Sequence, residues 1–477
     1  MTPPAEGILA IDVGTSSVRA TLGGRQARRT YSIRTTPDGG GEVDAPFLAG
    51  LVGEVLDEVL AAAPGPVRAV ACCTFWHSVL GLDGEEPVSP VYTWAETRPA
   101  RFGAALRARL DPEAYHARTG AFVHPLFLPE KILWLKDRGL RPRAWVSFGE
   151  FLYRRLFGRC PATVSMASGT GLLDVRRCAW DGPTLEAIGV RPEELGPLGD
   201  LKDALSGLRD PYVRRWPALR DVPWLPPVGD GACNNLGSGC TGPDRIAVML
   251  GTSGAMRVCW ETDRFEIPPG VFCYRADRRR ILLGGALNDG GNLAEWIRQG
   301  FRLGPPEEVE RELAAMEPDA HGLTFLPFLA GERSPGWAAD ARGAITGLRL
   351  STRPVEILRA AMEAVCYRFA LVHEELVRAV PGVREVVASG GGFLGSPAWT
   401  RILADALGRP VTASAEPEAS TRGVTLLALE SLGLVPRLED IPAALGETVQ
   451  PDPARHARYR EAIARQRRLY GLLVGPA

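Results

Sequence analysis

The chain lacks several features that would settle its class at once. No apolar stretch approaches the roughly 20 residues of a membrane-spanning helix. The opening residues, MTPPAEG, hold no basic segment followed by an apolar run, so no secretory leader is expected. Nine cysteines occur without a C-x-x-C pair, which excludes the usual zinc and thiol-redox spacings. Set in contexts such as VACCTF and RVCW, they read as reduced core residues of a cytoplasmic protein. Acidic and basic residues number 56 and 55, a net charge of −1, so no overall field draws the chain to nucleic acid or an anionic membrane. Nor is there a G-K-[ST] phosphate loop. A small-molecule substrate is the expectation that survives.

The chain has 477 residues, 45% of them hydrophobic, enough for two or three domains with separate cores. Strand-like runs (ILAID, VRAVACCTF, RIAVML, RILLGGAL, LTFLPFL, REVVASGG) alternate with helical ones (PEKILWLKDRG, EFLYRRLFG, GGNLAEWIRQGF, SPAWTRILADALG). This rhythm predicts an α/β architecture. A long helix is expected from Pro354, with Ser351 and Thr352 as candidate caps.

One weak repeat organises the rest. ILAIDVGTSSVRATL and IAVMLGTSGAMRVCW each place Gly-Thr-Ser after an apolar strand, with a basic residue, Arg19 or Arg257, a few positions on. The repeat predicts a duplicated domain, residues 1–243 and 244–477, with the ligand in the cleft between. Aligned on Gly-Thr-Ser, Asp12 falls opposite Met249, so only one copy carries an acid.

Each motif has a plain and a functional reading. Asp12, Gly14, Thr15 and Ser16 form either a hairpin turn or a phosphate cradle with a carboxylate for magnesium held through water. The second turn, Gly251 and Thr252, favours the cradle. SGGGFLGSP offers Gly391 and Gly392 either for tight strand–helix packing or for a ligand lying on the backbone. Asp230 in VGDGACNN reads, on its own, as a helix cap before it reads as a general base. Trp76, His77, Trp94, Glu96 and Arg98 are the aromatic and polar mixture that binds sugars, or plain packing. The charges of FLAGERSPGWAADARG, namely Glu332, Arg333, Asp340 and Arg342, are expected to bond one another in an ordered loop.

In this order, AIDVGTSSVRA, VGDGACNNLGSG, MLGTSGAMRV, FLAGERSPGWAADARGAITGL and SGGGFLGSPAWTRILADALGRPV resemble the FGGY family of carbohydrate kinases across essentially the whole chain. The resemblance implies two actin-like, ribonuclease-H-type domains with an interdomain catalytic cleft. It also implies ATP and Mg2+ as cofactors and leaves room for a homodimer. By resemblance Asp230 is the general base, Asp12 the magnesium-associated acid, and Thr15, Gly251 and Thr252 phosphate contacts. Gly291, Glu295, Gly391 and Gly392 then lie around the nucleotide, and His77, Trp94 and Glu96 on the sugar side.

Within the family the stretches are most similar to gluconokinases, implying phosphorylation of D-gluconate to 6-phosphogluconate, with Arg98 as a candidate for the carboxylate. A xylulokinase-type ketopentose kinase is the alternative. An actin-like ATPase coupled to a protein partner is the alternative from another class. Two sugar-side positions depart from common family patterns: Phe75-Trp76-His77 stands for Gln-Met-His, and Glu96 for an aspartate.

Overall fold

A computed structural model of the protein describes residues 7–63 and 65–475. The leader-free reading of residues 1–6 therefore lies outside the described residues. Two sheets dominate. In the first, β1 (Ile8–Val13), β2 (Ser17–Leu22) and β3 (Arg25–Thr30) form an antiparallel meander, and β4 (Ala69–Thr74) and β5 (Val228–Gly229) extend it in parallel. The strand order is β3-β2-β1-β4-β5. From β5 the chain passes directly into helix α1 (Asp230–Gly237).

The second sheet repeats the plan. β6 (Arg245–Leu250), β7 (Gly254–Glu261), β8 (Phe272–Arg275) and β9 (Arg280–Leu287) form its antiparallel half. Helices α2 (Gly291–Gly300) and α3 (Pro354–Ala379) intervene before β10 (Glu385–Ser389) and β11 (Val411–Ser414), which continue from β6 in parallel. Helix α4 (Ala419–Ser431) and edge strand β12 (Leu445–Val449) follow. The order is β8-β9-β7-β6-β10-β11-β12, so β9-β7-β6-β10-β11 copies the five strands of the first sheet. The fold is α/β, the duplicated actin-like arrangement.

The strands form where apolar runs can be buried on both faces: every residue of β1, β4 and β9 is buried, the pattern of a sheet covered on both sides. Helix α3 runs the 26 residues from Pro354, but its N-cap is Arg353, not Ser351 or Thr352. The Glu356 carboxylate accepts the Arg353 N–H at 2.8 Å, while the Thr352 hydroxyl accepts from Arg349 N–H one turn earlier. LTFLPFL is a strand only over Thr324–Leu326.

The lobes meet through α1 and α4. Helix α4 rests on β1 and β4 of the first sheet, and α1 touches β7 of the second. Their axes approach because both are glycine-bearing: a Cβ at Gly237 would overlap the Ala419 carbonyl, and one at Gly423 the Cys233 carbonyl. All nine cysteines are free, eight of them buried. Among the described residues no helix is long and apolar enough to cross a membrane.

Candidate active site

The cleft begins at the end of β1. Asp12 is buried and faces Arg19 across the hairpin, Oδ2 to Nη1 at 3.2 Å. The Cys73 thiol at the end of β4 donates to the other carboxylate oxygen at 3.4 Å. Arg19 also reaches Glu418, just before α4, at 3.1 Å. Burial pushes the Asp12 carboxyl above its ordinary range, with Arg19 pulling back.

The two Gly-Thr-Ser turns share a closure and differ in length. Gly14 N–H donates to Ser17 O at 3.0 Å, and Gly251 N–H to Ser253 O at 2.9 Å. The second turn is one residue shorter, so Ala255 takes the place across from Met249 that Arg19 holds across from Asp12. Arg257 lies two residues further along that face; the two arginines of the repeat are not structural equivalents. Tyr31 Oη braces the first turn by donating to Gly14 O at 2.7 Å. The first residues of α2 brace the second: Gly291 and Asn292 N–H donate to the carbonyls of Gly251 and Thr252 at 2.8 and 3.1 Å. Ser16 and Thr252 are exposed and Thr15 half-buried, on the surface left for a ligand.

Asp230 is the first residue of α1, and Gly229 is the cap. The cap reading therefore does not describe it. Its Oδ1 accepts Gly231 N–H at 2.7 Å, and among the described residues it forms no ion pair. Burial first, and the Asp12 charge second, push its carboxyl up to about 7, against the pull of Arg257. Trp76 floors this corner: its Nε1 donates to Ser165 O at 2.9 Å, and a Cβ at Gly229 would overlap its indole.

On the acceptor side, His77 holds a left-handed φ of 61° and bonds Gly169 O through Nδ1. Burial, with Lys131 and Arg333 nearby, pulls its imidazole well below the usual range, so it is neutral at pH 7. The Nδ1 proton goes to the carbonyl, which leaves Nε2 as an acceptor for a hydroxyl. Trp94 is half-buried beneath the Arg333 guanidinium, 5.7 Å from its centroid.

Glu96 and Arg98 do not join this group. Glu96 is fully buried and takes Arg98 Nε and Nη2 at 2.8 and 2.6 Å, with Gly41 N–H at 3.2 Å. Arg98 also reaches Glu42 at 3.2 Å and stacks on Trp134. Both Glu96 oxygens and Arg98 Nε and Nη2 are taken up in locking the loop, and Arg98 Nη1 lies 4.0 Å from Asp38, so Arg98 already has its counter-charges. The charges of the GERSPGW loop likewise look elsewhere than to one another. Glu332 pairs with Arg368 and accepts Tyr470 Oη, while Arg333 donates to Leu287 O.

Two buried residues that touch these positions carry no motif. Lys131 donates to the carbonyls of His77, Thr93 and Leu126 at 2.8, 2.8 and 3.0 Å, knotting three loops together. Tyr274 on β8 lies edge-on to Trp76 and His77, with centroids at 5.1 and 5.4 Å. Neither has local sequence context that separates it from a core residue.

Gly390 holds φ of 86° where a side chain would meet Leu250 O, so the loop after β10 passes close beside β6. Gly391 is exposed and Gly392 half-buried beyond it. Next to them an open cavity of about 870 Å³ is lined by Arg298, Phe301, Glu310, Gly395 and Ser396 among others. Glu295 is exposed on α2 and accepts from Gln299 at 2.9 Å; it is not in the cavity lining.

The N-terminal domain of the FGGY family of carbohydrate kinases matches residues 7–237, and its C-terminal domain matches residues 246–432. The chain belongs to this family. As an FGGY kinase it is a carbohydrate kinase with ATP as phosphoryl donor, which sets aside the actin-like ATPase reading. A gluconokinase of Bacillus subtilis is 27% identical over 469 residues, 94% of this chain and 91% of the relative. A glycerol kinase of Xanthobacter autotrophicus is 29% identical over 90% and 91%. The solved structures of a gluconate kinase and a ligand-bound xylulose kinase, both from Lactobacillus acidophilus, each superpose at a TM-score of 0.90. Each covers 98% of both chains at 26% identity.

Proposed function

We propose that this FGGY kinase moves the γ-phosphate of ATP to the primary hydroxyl of D-gluconate, giving 6-phosphogluconate. The observation that carries the proposal is Asp230, a carboxylate with no ion pair among the described residues, raised to about 7 at the wall of the cleft. A base of that strength takes a proton from a hydroxyl attacking in line and is ionised in useful fraction at neutral pH. Gluconate is favoured over other acceptors by the gluconokinases among the relatives. Trp76, His77 and Trp94 wall the acceptor side, the neutral His77 accepting a hydrogen bond from a sugar hydroxyl at Nε2. The turns at Gly14, Thr15, Ser16, Gly251 and Thr252 hold the phosphates, and the cavity beside Gly391 and Gly392 takes the nucleoside. Gly291 acts through its bond to Gly251.

The donor set fits magnesium. Asp12 offers a buried carboxylate, a hard oxygen donor, at the start of the first phosphate turn. When bound, with Asp12 holding it through water, the ion neutralises charge on the phosphates. Closure of the lobes excludes water, which protects ATP from hydrolysis.

A coupled ATP-to-ADP assay over gluconate, xylulose, ribulose, glycerol and fuculose tests the proposal. Turnover is expected to be greatest with gluconate, with 6-phosphogluconate as product. Preference for xylulose would install the second reading, a ketopentose kinase, which the xylulose kinase superposition favours.

A further inference from the structure

Opposite Asp230, on β7, stands a cation that the reaction as described does not use. Arg257 is half-buried, and its guanidinium makes no hydrogen bond or ion pair among the described residues; its Nε is shielded from solvent with no partner. Two glycines clear its path. Gly284 is its cross-strand neighbour on β9, where a Cβ would lie 2.8 Å from Arg257 Cγ. A Cβ at Gly231, beside Asp230, would lie 3.2 Å from Arg257 Nη2.

Two further donors lack partners nearby. The buried Tyr274 hydroxyl has none, and Arg333, which gives Nη2 to Leu287 O at 2.6 Å, leaves its Nε unpaired and buried. The charges act on one another: Arg257 and Arg333 both bear on Tyr274 and on His77, and burial pulls both guanidinia below their usual range, Arg333 to about 10.

We infer that Arg257, flanked by Tyr274 and Arg333, is the specificity-determining residue that receives the carboxylate of a sugar acid. The inference rests on the proposed gluconate reading and names the side chain behind it. Asp230 acts on Arg257 and Asp289 on Arg333, but neither guanidinium has a carboxylate within ion-pair distance among the described residues, and buried N–H groups left unpaired are costly. An aldonate supplies that carboxylate, and a neutral ketopentose or polyol does not. Arg98, the residue the sequence offered for this role, is already neutralised by Glu96 and Glu42. The phosphates of ATP are the other anions in reach. However, Arg257 stands three residues up β7 from Gly254, roughly 10 Å from the turn by strand rise, and beside the acceptor-side aromatics.

The test compares D-gluconate with D-glucitol, the same carbon chain with a neutral CH2OH in place of the carboxylate. Arg257→Gln is expected to raise KM for gluconate roughly 10- to 100-fold with a smaller change in kcat. The kcat/KM for glucitol should fall much less, by no more than the loss of the Arg257 pull on Asp230. Arg257→Lys, which keeps the charge but loses the fork, should fall between, and it carries the test if the glutamine variant fails to fold. The thermal stabilisation that gluconate gives wild-type protein should disappear in Arg257→Gln. An unchanged gluconate KM in the variant, or an equal loss on both substrates, overturns the assignment of Arg257 alone. Wild-type enzyme that phosphorylates only neutral sugars overturns the gluconate reading as well.

Discussion

With its carboxyl near pH 7, Asp230 is divided between two protonation states in the neutral range, and only the ionised one accepts a proton. Burial raises the group, so its reactive form is lost as pH falls. In the free enzyme kcat/KM for the sugar is therefore expected to rise with pH up to a plateau, the limb centred near 7 and losing tenfold per unit below it. A stopped assay from pH 5 to 9 at several magnesium concentrations checks this; an acid limb that persists in the residual activity of Asp230→Asn would mean that Asp230 is not the group titrating. Asp230→Asn should lower kcat by about 10²–10⁴ while ATP binding, measured by calorimetry, persists. The sequence displayed Asp230, the two turns and the aromatics because each sits in a short, compositionally odd stretch. It could not separate Glu96 and Arg98, two residues apart, into anything but candidates. Their mutual pairing depends on Gly41 and Glu42 arriving from far along the chain. Arg257 looked like an echo of Arg19 until the shorter second turn shifted its place in the register.

Among the elements, the helix Leu128–Asp137 does more than pack. Its Lys131 is fully buried, and burial pulls the ammonium down to about 7, with Glu96 and Glu130 holding it up. Three carbonyls from three loops depend on it. Lys131→Met keeps the volume but leaves those carbonyls unpaired, so a loss of about 1–3 kcal/mol of stability is expected, read by denaturant unfolding. A raised sugar KM should accompany it, because His77 and Thr93 are tethered there. Long apolar strands and amphipathic helices were legible because burial on one or two faces writes a period into the sequence. PEKILWLKDRG was readable as that helix, yet nothing in it marked the lysine as inward. The caps of α3 were misplaced for a similar reason: Glu356 reaches back to Arg353, a choice made by side-chain geometry that Ser351 and Thr352 hide.

At the scale of the molecule, the duplicated plan was legible from Gly-Thr-Ser recurring after two apolar strands. The contact that joins the copies was not. It depends on Gly237 and Gly423, each apposed to a carbonyl of the other helix, and an isolated glycine in a small-residue helix has no signature. Gly423→Leu would force α1 and α4 apart and carry Asp230 and the Arg19–Glu418 ion pair with them. The expected result is a destabilisation of several kcal/mol or loss of soluble protein. A Gly423→Ala variant that survives should show reduced kcat; unchanged melting and turnover in both would remove the helix contact from the argument.

The same contact sets an order of events during synthesis. Val424, Leu427 and Leu429 of α4 share a buried cluster with Ile8, Ala10 and Ala71 of the first sheet. Roughly 180 residues separate Gly237 from Ala419, about 10–40 s at ribosomal speed. Throughout that interval the N-terminal half waits with an apolar face uncovered, holding Asp12 and Asp230 and none of the helix that covers its first sheet. The first sheet therefore keeps this apolar face exposed until the last sixty residues emerge.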